Sequence, residues 1–192
     1  KEVIYGLGMQ VVVGGPEYEV FWAEEFKRWS ELPEFKGKFV YVSDSDVDLI
    51  KMQAIGAHIC INMPIDFEEA CGTSGGRTPL NGGVSVSSAP GDREWIVKYY
   101  NETGKICGFT FGPYTKSTPE GEVADWKLFY SKAPADIYKI LVQVSEIFSE
   151  DKEQWKDWMY NSYLAANEMV TAEAMEKRYA QRAYSLALEK RA

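Results

Sequence analysis

The sequence has little of what metal, disulfide or histidine chemistry requires. Its 192 residues include a single histidine and three cysteines, and Cys60, Cys71 and Cys107 are spaced too widely for a zinc pattern or a disulfide framework. His58 lies in an apolar run, where a lone histidine is more often structural than catalytic. We therefore predict no metal site. So few cysteines also favour a reducing, cytoplasmic environment.

Positive charge and long apolar runs are scarce as well. The net charge is −8 and the sequence pI is near 4.8, which argues against nucleic acid or an anionic membrane as a partner. No apolar run approaches the roughly 20 residues that span a bilayer, and no secretory signal is visible. A small anionic ligand is still compatible with this charge, because backbone N–H groups can hold it locally.

What the sequence does contain is an alternation of short apolar runs and helical patterns. Strand-like runs cover 9–13, 38–42, 57–61, 84–86 and 107–111, and helical patterns between them cover 17–30, 47–55 and 92–101. Strands that alternate with helices at this spacing are typical of a parallel sheet with crossover helices. We predict an α/β, Rossmann-like fold.

The pattern changes after residue 112. Residues 112–125 are polar and predict a loop, and three further helices are expected at 135–148, 152–166 and 172–190. We predict a Rossmann-like domain at 1–125 and a helical C-terminal extension at 126–192. The first eight residues have the pattern of a helix end, so we expect more protein to precede them.

A long glycine-rich connection follows the third predicted strand, and such connections are usually functional. It holds Glu69, which can accept hydrogen bonds from two neighbouring sugar hydroxyls, and Arg77, which can offer a planar fork to an anion. The small residues between them leave backbone N–H groups free to face phosphate oxygens. Composition alone is equally compatible with a simple tight turn, and the dinucleotide and P-loop patterns are absent.

The order of residues in this loop is more specific. It resembles the α-glucan phosphorylase family, which acts on glycogen, starch or maltodextrin and whose loop reads Glu-Ala-Ser-Gly-Thr-(Gly/Ser)-x-x-Lys-x-x-x-Asn-Gly. Residues 69–74 (Glu-Ala-Cys-Gly-Thr-Ser) and 81–82 (Asn-Gly) match without a gap. Weaker counterparts of family segments lie at 11–15, 62–64, 108–112 and 155–179.

The resemblance implies a fold and a set of contacts. The family is related to glycogen synthase-type glycosyltransferases with two Rossmann lobes (the GT-B fold), and this chain would be the C-terminal, donor-binding lobe. Glu69 would bind glucose hydroxyls, and the N–H of Gly72 would contact the sugar. The N–H groups of Thr73 and Ser74 would hold a phosphate, and Cys71 takes the place of a serine among these substrate-binding residues.

Arg77 departs from the family pattern, because it occupies the position of the lysine that forms an imine with pyridoxal phosphate. A guanidinium stays protonated and is not nucleophilic, so it cannot form that bond. The sequence therefore supports no cofactor with certainty and argues against pyridoxal phosphate. We predict that Arg77 is catalytic and balances the phosphate charge of the donor.

The leading hypothesis is hexosyl transfer to an α-glucan from a nucleotide sugar or a glucose phosphate. The family's other catalytic basic residues would precede residue 1, and acceptor residues belong to an N-terminal lobe, so the isolated chain is expected to be inactive. Two alternatives stay open: a phosphorylase with an altered cofactor site, and a non-catalytic glucan-binding module. Self-association into a homo-oligomer is also open.

Overall fold

The computed structural model describes residues 1–15, 20–43, 46–68 and 74–184. Their strands are β1 (Val11–Gly15), β2 (Phe39–Ser43), β3 (Ile59–Asn62), β4 (Val84–Ser87), β5 (Gly108–Thr110), β6 (Thr115–Thr118) and β7 (Gly121–Ala124). Their α-helices are α1 (Val20–Glu31), α2 (Val47–Gly56), α3 (Ser74–Leu80), α4 (Pro90–Thr103), α5 (Trp126–Glu150), α6 (Lys152–Val170) and α7 (Ala172–Tyr179). π-helical turns at Glu2–Gly6 and Ala180–Tyr184 and a 3-10 turn at Pro33–Phe35 complete the set.

The first five strands are parallel and are linked by helices, which confirms the predicted α/β, Rossmann-like fold. Strand β1 pairs with β2, and β3, β4 and β5 form a second sheet in that order. The parallel strands therefore lie in two sheets and not in one continuous sheet. Helix α2 connects them, and Asp46 is its N-cap residue: the Asp46 carboxylate accepts a hydrogen bond from the N–H of Leu49 at 2.8 Å.

The main core is built around β4, which is buried on both faces. Val84 and Val86 face α5 and α6, where Val144, Trp155 and Trp158 pack against the sheet. Each fully buried side chain of this size contributes about 1.5–3 kcal/mol of transfer free energy. The alternate residues of β4 are serines that point to the opposite face, beneath α3 and α4, so a polar layer lies next to the predicted site.

A second core lies between α1 and β2. Phe26 and Trp29 pack on Phe39 and Tyr41, as the helical spacing of the aromatics predicts. Trp22 stacks on Phe26 with 5.9 Å between ring centroids but keeps 41% of its surface exposed. Tyr18, which helical spacing in the sequence places on the same face as Trp22, Phe26 and Trp29, lies outside the described residues.

Two sequence predictions in the C-terminal half are wrong. The predicted loop at 112–125 contains the antiparallel hairpin β6–β7, whose mostly exposed, polar strands lack the apolar alternation that signals a strand. Helix α5 begins at Trp126, nine residues before the predicted start at residue 135. The helix continues through Pro134, and Asp125 caps its true start by accepting a hydrogen bond from the N–H of Leu128 at 2.9 Å.

The C-terminal helices pack on the sheet through α5 and α6. Of the predicted helix at 172–190, α7 accounts for the first part, and residues 185–192 lie outside the described residues. Met175 and Tyr179, which helical spacing places on one apolar stripe, are 51% and 52% exposed. No helix in the described part of the chain combines the length and the apolarity that a membrane span needs.

Candidate functional site

The glycine-rich loop leaves β3 at its carboxyl end, the edge at which parallel α/β sheets bind ligands. Four of the predicted substrate-binding residues, Glu69, Cys71, Gly72 and Thr73, lie outside the described residues. The fifth, Ser74, is exposed and begins α3. The described structure therefore shows the two flanks of the loop and the base on which those flanks rest.

Arg77, the predicted catalytic residue, lies in the last turn of α3 and is exposed. It borders an open cleft of about 400 Å³ between α2 and α3, together with Lys51, Ala54 and Leu80 among others. The amide of Asn81 donates to the carbonyl of Arg77 at 2.8 Å, which fixes the backbone at that position. Arg77 thus lies on a fixed backbone at the edge of an open cleft.

A buried carboxylate lies under the flanks of the loop. Asp92, in the first turn of α4, is 3% exposed and accepts hydrogen bonds from Asn62 Nδ2 at 3.0 Å and Ser87 Oγ at 2.8 Å, both to Oδ2. Its Oδ1 accepts from the indole N–H of Trp95 at 3.2 Å. The first two bonds tie the ends of β3 and β4 to α4, and the third lies within α4. Such hydrogen-bonded partners offset the cost of burying a polar group.

Helix α3 rests directly on this carboxylate. A Cβ built on Gly75 would lie 2.6 Å from Asp92 Oδ1 and closer still to Oδ2, so only glycine permits the observed approach. Gly75 is itself buried. Helix α3, which follows the loop, therefore packs in close contact with Asp92.

The ascending side of the loop is held by a second set of contacts. Asp66 is 4% exposed and forms an ion pair with Arg93, and it also accepts from the N–H of Tyr114 at 3.3 Å. The hydroxyl of Tyr114 donates to Asp136 at 2.6 Å. Burial, followed by the hydrogen bond to Asp136, raises the pKa of Tyr114, so the phenol stays protonated.

The two described cysteines are structural in character. Burial raises the pKa of the Cys107 thiol to about 12 and also raises the pKa of Cys60, so neither is a nucleophile at neutral pH. His58 packs edge-on against Phe148 with 5.0 Å between ring centroids. Within the described ranges, no group of three or more histidine, cysteine or acidic side chains could hold a metal ion.

Comparison with known proteins gives partial matches to phosphorylases. Glycogen phosphorylase from Aquifex aeolicus is 38% identical over 82 residues, which are 43% of this chain and 11% of that protein. Maltodextrin phosphorylase from Thermococcus litoralis is 24% identical over 159 residues, 83% of this chain and 18% of that protein. Glycogen phosphorylase from Mycobacterium bovis is 28% identical over 78 residues, 41% of this chain and 9% of that protein.

The chain is similar to one segment of the α-glucan phosphorylases. This confirms the resemblance to phosphorylases inferred from the loop, whereas the relation to glycogen synthase-type enzymes and to the GT-B fold stays a prediction. The matches span no more than 18% of the length of these three relatives. No family model and no solved structure matches the chain.

The residues that support the loop were missed by the sequence analysis. Asn62 drew attention as part of a short family-like segment, but Asp66, Asp92 and Arg93 carried no signal of burial or pairing. Asn62 and Asp92 are 30 residues apart, and Asp66 and Arg93 are 27 apart. Only the return of the chain over β4 brings these partners together.

Proposed function

We propose that this chain is the donor-binding half of a hexosyltransferase that acts on α-glucans. The observation that carries the proposal is the ungapped agreement of residues 69–74 and 81–82 with the phosphorylase loop. The similarity to phosphorylases over as much as 83% of the chain supports it. The strand before the loop and the helix after it both contact the buried carboxylate of Asp92. This shared support favours a role in binding a ligand in a fixed geometry.

The proposed contacts follow the order of residues in the loop. The Glu69 carboxylate accepts hydrogen bonds from two hexose hydroxyls, and the N–H of Gly72 contacts the same sugar. The N–H groups of Thr73 and Ser74 hold the phosphoryl group attached to it. Cys71 replaces the serine of the phosphorylase loop with a side chain of similar size. Together these groups bind the hexose and its phosphate as one unit.

In the transfer itself, the bond between the sugar C1 and the phosphate oxygen breaks, and C1 bonds to an acceptor hydroxyl oxygen. The hydroxyl proton leaves with the phosphate-bearing group. Negative charge grows on that group as the sugar becomes oxocarbenium-like, so a fixed cation beside it lowers the barrier. Arg77 is the residue of this chain that we assign to that role.

Pyridoxal phosphate does not fit the described residues as an imine. Arg77 replaces the lysine and cannot form the bond. Lys51 borders the same cleft, but its ammonium is exposed and forms an ion pair with Asp48 at 3.3 Å, whereas an imine-forming lysine is typically desolvated in an apolar pocket. We therefore derive no step through that cofactor, and the proposed donor is a nucleotide sugar or a glucose phosphate.

We propose that acceptor recognition and the other catalytic cations belong to a second, N-terminal lobe. The relatives are several times longer than the segment that they share with this chain, which supports a larger enzyme. In the proposed division, residues 1–125 form the donor-binding domain and 126–192 the helical extension. The packing of Val144, Trp155 and Trp158 on β4 supports an extension that rests on the domain itself.

A screen of sugar donors by thermal shift tests the proposal. A donor present at 100 times its Kd stabilises the folded state by about 2.7 kcal/mol, which raises the Tm of a chain of this size by about 5–10 °C. Glucose 1-phosphate and a panel of nucleoside diphosphate glucoses would be compared with free nucleotides and inorganic phosphate. A flat response to every donor would contradict the proposal, and a response to maltooligosaccharides alone would support the non-catalytic alternative.

Replacing Arg77 with alanine is expected to weaken donor binding about 10-fold or more, the usual effect of losing one charge-assisted hydrogen bond. The Tm without ligand should be nearly unchanged, because the side chain is exposed. Calorimetric titration of both proteins with the donor from the screen gives the comparison. Lys51→Ala is the matched control, since it removes a cation from the same cleft. Equal affinity of Arg77→Ala and the wild type would refute the role.

A further inference from the structure

The segment just before the loop holds an aromatic residue in an unusual backbone conformation. The N–H of Glu68 donates to the carbonyl of Ile65 at 3.1 Å, which closes a four-residue turn. Phe67 is the third residue of that turn and has φ of +69°, in the left-handed region. Glycine is the usual residue at such a position, because a side chain there meets the backbone unfavourably. A bulky aromatic residue at this position calls for an explanation.

Packing does not supply that explanation, because the ring of Phe67 is 64% exposed. Its neighbours Ile65 and Asp66 are 8% and 4% exposed. The turn therefore buries the residues on one side and leaves a large apolar ring in solvent on the other. A ring that stands in solvent on a fixed backbone is available for contact with a ligand.

The turn is anchored from below at several points. Ser88 donates its N–H to the carbonyl of Asn62 at 3.0 Å and its hydroxyl to the carbonyl of Pro64 at 2.7 Å. In the first turn of α4, Arg93 forms an ion pair with Asp66. The backbone that carries Phe67 is thus fixed to the junction of β4 and α4. A ring on so constrained a backbone loses little further conformational entropy when a ligand covers it.

We propose that Phe67 is a stacking platform for the apolar face of a pyranose ring. An aromatic face attracts the axial C–H groups of a sugar and excludes water from them. Phe67 is two residues before Glu69, the proposed hexose ligand, so the platform directly precedes the proposed donor loop along the chain. This inference rests on the proposed function and adds an apolar contact to its polar ones. The sugar it covers is either the donor hexose or a unit of the glucan chain.

Two substitutions separate stacking from backbone geometry. Phe67→Gly removes the ring and relieves the left-handed conformation, while it adds freedom to the unfolded chain. Relief of the backbone strain and the added freedom of the unfolded chain oppose each other. The Tm of Phe67→Gly should therefore be within about 2 °C of the wild-type Tm or above it. Phe67→Trp keeps an aromatic face. Tyr160→Ala, which removes a ring with 63% exposure from α6, is the matched control.

The measurement is calorimetric titration of each variant with maltoheptaose and with glucose 1-phosphate. We expect Phe67→Gly to weaken binding of at least one of them about 3- to 10-fold, with Phe67→Trp and Tyr160→Ala close to the wild type. Loss of maltoheptaose binding alone assigns the platform to the glucan, and loss of glucose 1-phosphate binding assigns it to the donor.

Three results would overturn the platform. If Phe67→Gly binds both sugars as tightly as the wild type, the platform is wrong and the proposed function stands. If Phe67→Gly and Phe67→Trp weaken binding equally at unchanged Tm, the aromatic face is not what the ligand contacts. A wild type that binds neither sugar nor any donor of the screen removes the proposed function, and the platform with it.

Discussion

Replacing Asp92 with alanine is expected to lower the free energy of unfolding by about 3–5 kcal/mol. The carboxylate is 3% exposed and is the acceptor for Asn62, Ser87 and Trp95. Alanine would leave these three donors without an acceptor, and each unsatisfied donor costs about 1–3 kcal/mol when buried. Water that enters the vacated space can recover part of this, which is why the expected loss is below the full sum.

Urea denaturation followed by tryptophan fluorescence measures this loss. The matched control is Asp157→Ala, which removes an exposed carboxylate from α6 and should change stability by no more than about 0.5 kcal/mol. If both variants unfold at the same urea concentration, the Asp92 network does not hold β3, β4 and α4 together.

Gly75→Ala is expected to destabilise the protein by about 3 kcal/mol or more, at the upper end of overpacking effects. The new methyl group would overlap the Asp92 carboxylate, so α3 must move or Asp92 must give up its hydrogen bonds. Gly91→Ala is the matched control, because nothing lies within 4 Å of a Cβ at that position. Since α3 directly follows the loop, Gly75→Ala should also weaken donor binding, whereas Gly91→Ala should not.

A double-mutant cycle shows whether the clash with Asp92 is the cause. In the background of Asp92→Ala, the alanine at 75 meets no carboxylate, so its additional cost should fall by at least about 1 kcal/mol. Strict additivity of the two substitutions would mean that Gly75 is required for some other reason. It would also remove the physical link between the Asp92 network and the position of α3.

The parallel α/β architecture could be predicted from the sequence because its signals are local. Short apolar runs mark β1 to β5, and Asp46 is a typical N-cap residue at the start of α2. The hairpin β6–β7 gave no comparable signal, since both of its faces are largely solvent-exposed. At α5, the predicted start at residue 135 missed the capping of the true start by Asp125.

The candidate site, like the fold, could be predicted from the sequence only in part. The glycine-rich loop is a contiguous motif, so its residues could be named from order alone. The base beneath it depends on pairs such as Asn62 with Asp92 and Asp66 with Arg93, which are separated by about one β–α unit. One sequence cannot show which of many polar residues is buried, because burial depends on how the chain returns over the sheet. The left-handed backbone of Phe67 is equally invisible in the sequence.

The central claim is that the Glu69 loop binds a hexose together with its phosphate, and one calorimetric comparison tests this claim most directly. Glu69→Ala and its neighbour Glu68→Ala remove the same charge one residue apart, and both would be titrated with the donor from the thermal-shift screen. Loss of two charge-assisted hydrogen bonds predicts a Kd about 100-fold higher for Glu69→Ala, with Glu68→Ala close to the wild type. Equal affinities for Glu69→Ala and Glu68→Ala would contradict the account.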